Sequence, residues 1–334
     1  IVEQLLKTEK CLKIVWLVKS MEEAKSLPEH VEPCRINTIK SIYHLATAKF
    51  WIDNCRKNFH HKRKKQIYIQ TWHGFALKRI ERDVADHLSE GYVRGAIKDS
   101  KAIDIIISDS AFMTDLYKKI FWYEGEVVEW GSPRNDILIK GDSSISSKVR
   151  EYYNIGKDKK ILLYAPTFRV DHSTEAYGID YNRLLQVCKN RFKDEFVIFV
   201  RLHPNIVDKC ENLIFKEGEI INATFYPDMQ ELLLAADICI SDYSSLMFDF
   251  ALSKKPCFQF ATDIEEYRQD RNFYFEIDKL PFPLCKNNDE LEAAILSFNE
   301  DKYQDEIDKF FKNVGMVMDG ESSGRCAEWI IERI

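Results

Sequence analysis

Residues 226–250 read YPDMQELLLAADICISDYSSLMFDF, and the order of patterns inside that stretch decides the fold class. An amphipathic run, Met229–Ala236, leads into a short apolar, β-branched run, Asp237–Ser241. The turn Ser241-Asp242-Tyr243-Ser244-Ser245 then opens a second helical pattern over Ser245–Ser253. Helix, fully apolar strand, polar turn and helix in succession describe a parallel sheet, whose strands are buried on both faces and joined by helical crossovers. Working outward, strands are predicted at Lys160–Tyr164, Glu195–Val200 and Pro256–Phe260, with a helix at Tyr181–Phe192. Toward the amino end they are predicted at Lys13–Val18, Lys65–Gln70, Ala102–Ser108 and Glu126–Trp130, with helices at Ile39–Asn54 and Ala111–Phe121. The chain is therefore α/β from end to end.

At 334 residues it exceeds what one hydrophobic core usually supports, so two domains are expected. The polar stretch KGDSSISS (140–147) is the best linker candidate, which divides the chain into 1–145 and 146–334. Ser322–Ile334 reads as a last helix able to pack back on the first domain. The halves echo each other. IYIQTWHG (67–74) parallels VIFVRLHP (197–204), each placing a His just beyond a strand, and IIISDSAF (105–112) parallels ICISDYSS (238–245). Two doubly wound, Rossmann-like domains facing a cleft are expected, with ligands beyond the carboxyl ends of the strands, where all four echoes fall.

Composition narrows the chemistry. The chain is 45% apolar and 31% charged with a net charge of −6, which gives no global reason to expect nucleic acid. Nine cysteines without a C-x-x-C fit buried, reduced thiols in a cytoplasmic protein better than disulfides or a zinc site. No apolar run approaches the length of a membrane span, and no signal peptide is visible. The first residue is Ile rather than Met, as in a module cut from a longer chain. G-x-G-x-x-G, Walker, G-x-S-x-G and D-x-D patterns are all missing, against dinucleotide oxidoreductases, P-loop kinases, α/β-hydrolases and a metal-diphosphate clamp. No metal and no cofactor are expected.

Six places carry candidate chemistry. The turn before the helix near Leu246 offers unpaired N–H groups and the hydroxyls of Ser244 and Ser245 to a phosphate, although Ser and Asp also cap helices of any kind. Arg201 and His203 alternate onto one side beyond an apolar strand, a cation pair suited to a pyrophosphate, unless His203 only caps the strand. His73, followed by Gly74, stands at the matching place in the first half and is positioned to take a proton from an acceptor hydroxyl. Lys78 and Arg79, on what reads as the next helix, either hold an anionic acceptor or form a solvated basic face. Arg169 ends another strand, within reach of the cleft. The basic run RKNFHHKRKK (56–65) reads first as a solvated loop and second as a contact for anionic lipid or polyanion.

In order along the chain, TWHGFALKR (71–79), SPRND (132–136), LYAPTFR (163–169), RLHP (201–204), the 226–250 stretch and DGESSGR (319–325) resemble the CDP-glycerol glycerophosphotransferases, bacterial teichoic-acid and capsule polyol-phosphate transferases. The resemblance covers about residue 65 to the carboxyl end. It implies a GT-B fold, CDP-glycerol held mainly by the second domain, and transfer of glycerol phosphate to a hydroxyl of a growing polymer with release of CMP. It further implies catalytic roles for His73 and His203, and donor or phosphate contacts from Arg201, Pro204, Asp228, Asp242, Ser244 and Ser245, with Tyr226–Gln230 as the cytosine pocket. Gly74, Lys78 and Arg79 fall on the acceptor side, where Phe75-Ala76 departs from the small or Pro-containing pairs of relatives. The expected partners are a CDP-polyol donor, a polyol-phosphate or polysaccharide acceptor and, peripherally, anionic membrane, at its cytoplasmic face. CDP-ribitol as donor, a nucleotide-sugar glycosyltransferase and a non-catalytic polymer-binding module are the alternatives.

Overall fold

The computed structural model describes residues 1–8, 10–57, 61–167, 169, 178–202, 218–270 and 272–334. The chain forms two compact units: residues 1–73, 80–136 and 314–334 make the first, and residues 74–79 and 137–313 the second.

In unit 1, β1 (Ile14–Val18) and β2 (Val31–Arg35) pair as a parallel two-stranded ladder. Strands β3 (Phe50–Asp53), β4 (Ile67–Gln70), β5 (Ile105–Ser108) and β6 (Glu126–Glu129) make a second parallel sheet in chain order. Its core is β-branched because both faces are covered: Ile69, Ile105 and Ile107 pack with Leu5 and with Cys326, Ala327 and Ile330 of the final helix, Ser322–Ile331. The Asp136 carboxylate accepts from the amides of Ser322 (3.1 Å) and Ser323 (2.7 Å), satisfying two donors at that helix's amino end.

Two expectations fail in instructive ways. The single helix at Ile39–Asn54 is a helix only over Ile39–Thr47, opened by a Thr38/Ser41 capping box and followed by β3. Phe50-Trp51-Ile52 is aromatic and β-branched, and pairing with Ile67-Tyr68-Ile69 outweighs continued helical periodicity. The linker at 140–147 is instead the join between two helices, Asp136–Lys140 and Ser143–Tyr152. Gly141, at φ +66°, makes the turn, and Asp142 caps the second helix by accepting from Ser144 N at 2.8 Å. Ser and Asp there are capping residues rather than linker residues.

Unit 2 is built on one six-stranded parallel sheet: β7 (Lys159–Tyr164), β8 (Glu195–Val200), β9 (Ile220–Asn222), β10 (Ile238–Ser241), β11 (Cys257–Phe260) and β12 (Leu284–Cys285). Their spatial order is β12-β11-β10-β7-β8-β9. Counted from β7, this is the doubly wound order of dinucleotide-binding folds, and it reverses between β7 and β10. The crevice beyond that pair's carboxyl ends is the place where such sheets bind ligands.

Gly74–Arg79 belongs to unit 2 although flanked in sequence by unit 1. It is not the expected helix. Lys78 forms an antiparallel bridge with Phe273, Leu77 O accepts from Tyr274 N at 2.9 Å, and Arg79 N donates to Asn272 O at 2.9 Å. The cause is Phe75, 2% exposed, whose ring lies 4.7 Å from that of Phe248, 5.7 Å from Phe275 and 6.1 Å from Phe310. Burying this ring against all three neighbours demands an extended path. Phe75→Ala is expected to destabilise unit 2 by about 3–5 kcal/mol and Phe75→Leu by under about 1.5 kcal/mol, measured by urea unfolding. Equal stability of Phe75→Ala and wild type would remove the ring from the account of this path.

Candidate functional site

At the switch point of unit 2 the loops after β7 and β10 meet on one carboxylate. Asp242 is 2% exposed. Its Oδ1 accepts from Thr167 N at 2.8 Å and from Tyr243 N at 2.6 Å, while its Oδ2 pairs with Arg169 Nη1 at 2.8 Å. A buried carboxylate is tolerable only when so completely bonded. Arg169 is itself buried and reaches a second carboxylate in a bidentate pair, Nε to Asp263 Oδ2 at 2.6 Å and Nη2 to Asp263 Oδ1 at 3.0 Å. Asp263 Oδ1 also accepts from the Tyr243 hydroxyl at 2.9 Å. The guanidinium lies 5.0 Å from the Tyr243 ring and 5.1 Å from the Tyr267 ring, and these two rings stack at 3.9 Å. Burial disfavours the charged forms of both partners, but the pairing overrides it: Arg169 is held above its ordinary pKa, and Asp263 below the usual carboxylate range.

Around this ion cluster the sequence-predicted residues divide. Ser244 Oγ accepts from Leu246 N at 3.3 Å, and Ser245 precedes the helix Leu246–Ala251 without a side-chain capping bond. Both are half-buried. Asp228 is the N-cap of the helix Met229–Ala235, accepting from Gln230 N at 2.8 Å. Arg201 Nη1 donates to Ala223 O at 3.1 Å and Tyr226 O at 2.7 Å, so this guanidinium shapes the loop after β9, and burial lowers its pKa. Lys78 sits 5.2 Å from the Tyr267 ring, which places its ammonium beside the Arg169 cluster. Arg79 is exposed. His203 and Pro204 lie outside the described residues. Asp263 has no motif around it and went unrecognised in the sequence; only its place just after β11 hints at a role.

His73 belongs to unit 1, in the turn after β4, with a solvent-exposed side chain. Its Nδ1 is 2.8 Å from Asn54 O. A carbonyl only accepts, so Nδ1 carries the hydrogen and Nε2 the lone pair. The surroundings, although open to solvent on one side, desolvate the imidazolium and lower its pKa below 6.5, against the Asn54 carbonyl, which raises it. Trp72 lies beneath the imidazole at 4.2 Å between ring centroids. It holds φ +52°, a left-handed conformation rare for a large side chain and characteristic of functional turns. The loops are sewn together: Thr71 N donates to Asp53 O at 2.9 Å, and Gln70 Nε2 to Cys55 O at 3.1 Å.

The basic run 56–65 is not uniformly a solvated loop. Arg56 has a side chain only 6% exposed, paired with the buried Glu81 at 2.9 Å and Asp99 at 3.3 Å. Lys57 pairs with Asp53, and Lys62 with Asp104 at 2.5 Å, whereas Arg63, Lys64 and Lys65 are exposed. Neither the burial of Arg56 nor its partners carried a signal in the sequence.

A profile of the family described as CDP-glycerol:poly(glycerophosphate) glycerophosphotransferase matches residues 1–332, and the chain belongs to this family. It is similar to a teichoic acid poly(glycerol phosphate) polymerase of Bacillus spizizenii, 32% identical over 95% of this chain and 83% of that protein. A protein of the same description from Staphylococcus epidermidis is 31% identical over 92% of this chain but only 45% of its own length. The structure of the wall teichoic acid polymerase TagF superposes with a TM-score of 0.85 at 28% identity, covering 99% of this chain and 83% of that one. The fold is thus α/β of the GT-B type, and the protein is an enzyme of the transferase class.

Replacing Arg169 by Met would strand the buried Asp242 and the half-buried Asp263 without their cation. The expected loss is about 3–5 kcal/mol of stability, read by urea unfolding, with native far-ultraviolet circular dichroism at zero denaturant. Wild-type stability in Arg169→Met would mean that the carboxylates find other partners.

Proposed function

We propose that this transferase moves glycerol phosphate from CDP-glycerol to a hydroxyl of a glycerol-phosphate polymer and releases CMP. The acceptor oxygen attacks the β-phosphorus in line. The bond from that phosphorus to the bridging oxygen breaks, and CMP departs with the electron pair. The acceptor proton passes to His73 Nε2, the nitrogen left with a lone pair by the Asn54 carbonyl. That fixed tautomer is the observation that carries the reading. We assign the diphosphate to the turn at Ser244 and Ser245 beyond the switch point, with His203 opposing charge on the leaving phosphate. Asp242 and Asp263 position Arg169 rather than bind donor hydroxyls directly, and Arg201 and Asp228 shape the loop assigned to cytosine.

The test is CMP release from CDP-glycerol, with CDP-ribitol and UDP-sugars as comparison donors. His73→Ala and His203→Ala are each expected to cut turnover by about 10²–10⁴-fold. Near-wild-type turnover in either would cancel its role, and release of a nucleoside diphosphate would replace the reaction by sugar transfer. Because the His73 pKa is lowered, the imidazole stays neutral into more acidic solution, so the acid limb of kcat/KM is expected below pH 6.5. A limb above that value would contradict the assignment.

We place the enzyme at an anionic membrane surface through unit 1. Ile39, Ile42 and Tyr43 are 88%, 64% and 61% exposed on one face of their helix. Exposed Arg63, Lys64 and Lys65 lead to Gln66, which bonds the carbonyls of Leu45 and Ala48 at that helix's end. Apolar side chains beside cations suit an interface. No helix among the described residues is long and apolar enough to cross a membrane. Flotation with phosphatidylglycerol vesicles is expected to recover the protein, and Ile39→Ser/Ile42→Ser to abolish that recovery while CMP release with a soluble acceptor is kept. Undiminished flotation of the double variant would refute this surface.

A further inference from the structure

His73 stands at the start of a segment that leaves unit 1 at residue 73 and rejoins it at residue 80. The two residues flanking the excursion, Trp72 and Glu81, hold φ of +52° and +55°. Neither is glycine, and each such conformation costs on the order of 1 kcal/mol or more, so something must over-determine both. The shared contact is Arg56. Its guanidinium lies 5.8 Å from the Trp72 ring and 4.6 Å from the Phe121 ring, and the Trp72 and Phe121 rings meet edge to face at 4.7 Å. Nη2 of the same group bonds Glu81 Oε2 at 2.9 Å, and Nη1 bonds Ser100 Oγ at 2.8 Å and Asp99 Oδ2 at 3.3 Å. Glu81 and Asp99 side chains are 2% and 0% exposed, so one buried cation answers two buried carboxylates, helped by the Tyr92 hydroxyl on Glu81 Oε1 at 2.7 Å. Arg56 also follows Asn54, whose carbonyl holds His73 Nδ1, by two residues.

We propose that Arg56 is the positioning residue of the His73 imidazole, clamping both ends of the 73–80 excursion and the loop that sets the imidazole tautomer. The proposal rests on His73 being the base. Arg56 touches no substrate; it acts through Trp72, Glu81 and the 54–56 loop. A planar fork that stacks on rings while bonding two carboxylates is a task for Arg and not Lys. The charged groups acting on His73 are Arg134 and Glu81, with the Asn54 carbonyl and the Cys55 thiol beside its Nδ1. Weakening Arg56 would loosen the desolvating turn and leave Glu81 uncompensated. Both changes favour the imidazolium.

The experiment uses the full chain with CDP-glycerol. Arg56→Lys is expected to lower kcat by about tenfold or more, from misplacement of the base. The donor KM should stay within about threefold, since donor binding is assigned elsewhere. The acid limb of the pH–rate profile should move upward, a change that general loss of folded protein does not produce. In a His73→Ala background, adding Arg56→Lys should cost nothing further. A folded Arg56→Lys protein with wild-type kcat, or with reduced kcat and an unmoved acid limb, overturns the proposal. So does an undiminished Arg56 effect in the His73→Ala background, even though that result leaves the base assignment standing. Full turnover in His73→Ala alone removes the base assignment, and this proposal with it. Should Arg56→Lys fail to fold, Tyr92→Phe removes a single hydroxyl from Glu81. It should show the same upward shift with a smaller loss of kcat, and an unchanged limb there counts against the clamp.

Discussion

A carboxylate withdrawn from water must be bonded on every side or surrender its charge, and the second unit of this enzyme is organised by one that is bonded. Asp242 ties the amide of Thr167, after β7, to its own turn after β10, and passes its remaining charge to Arg169. Those strands are the pair at which the sheet reverses its winding. Two connections that diverge in opposite directions would otherwise leave a gap of uncertain width, and the carboxylate sets that width. Arg169 extends the constraint to Asp263 beyond β11 and, through Tyr243 and Tyr267, to a stacked aromatic floor. The first two residues after β8 join the same frame, with Arg201 N on Tyr164 O at 2.8 Å and Leu202 N on Thr224 Oγ1 at 3.1 Å. The ends of four consecutive strands are thereby fixed relative to one another. Preorganisation of this kind is what electrostatic stabilisation of a transferring phosphoryl group requires.

Unit 1 solves a smaller problem by the same means. An imidazole is a useful base only when its tautomer is settled and its pKa sits below the working pH. A single carbonyl, Asn54 O, settles the first, and a crowded turn under Trp72 tends to the second. Neither group is acidic, so the arrangement differs from a carboxylate-oriented histidine: an imidazolium at His73 receives no full countercharge from its orienting partner.

The sequence disclosed what depends on local order. β7, β8, β10 and β11 stood out because buried parallel strands are continuous apolar runs, and the turn after β10 because Ser and Asp punctuate it. It misled where two local signals competed. Ile39–Asn54 has a helical start and a strand-forming end, and pairing with β4 decides between them. The residues 140–147 are rich in Ser and Asp, which serve loops and helix caps alike. Lys78 and Arg79 looked helical because Phe75 and the rings it packs against, Phe248, Phe275 and Phe310, are far apart in the chain. Arg56, read as part of a solvated basic run, and Glu81, Asp99 and Asp263, which escaped notice, share a property: each matters through a partner distant in sequence. No spacing rule links Arg169 to Asp263, or Arg56 to Asp99.

This explains why charged motif residues in such a chain are poor guides to ligand contact. Asp242 and Asp228 both belong to the conspicuous 226–250 stretch, yet both spend their oxygens on backbone amides, one pinning two loops and the other capping a helix. Arg201, the first residue of RLHP beyond β8, spends a nitrogen on two carbonyls. Under the proposed assignment, recognition of the diphosphate at this edge of the sheet falls to smaller groups, the hydroxyls and amides of the Ser244-Ser245 turn. Hydroxyls and amides carry no charge to neutralise when the product leaves, whereas a bidentate arginine on a diphosphate would hold it. Full charges committed to structure, with partial charges presented to the phosphates as proposed, would favour release of CMP over its retention.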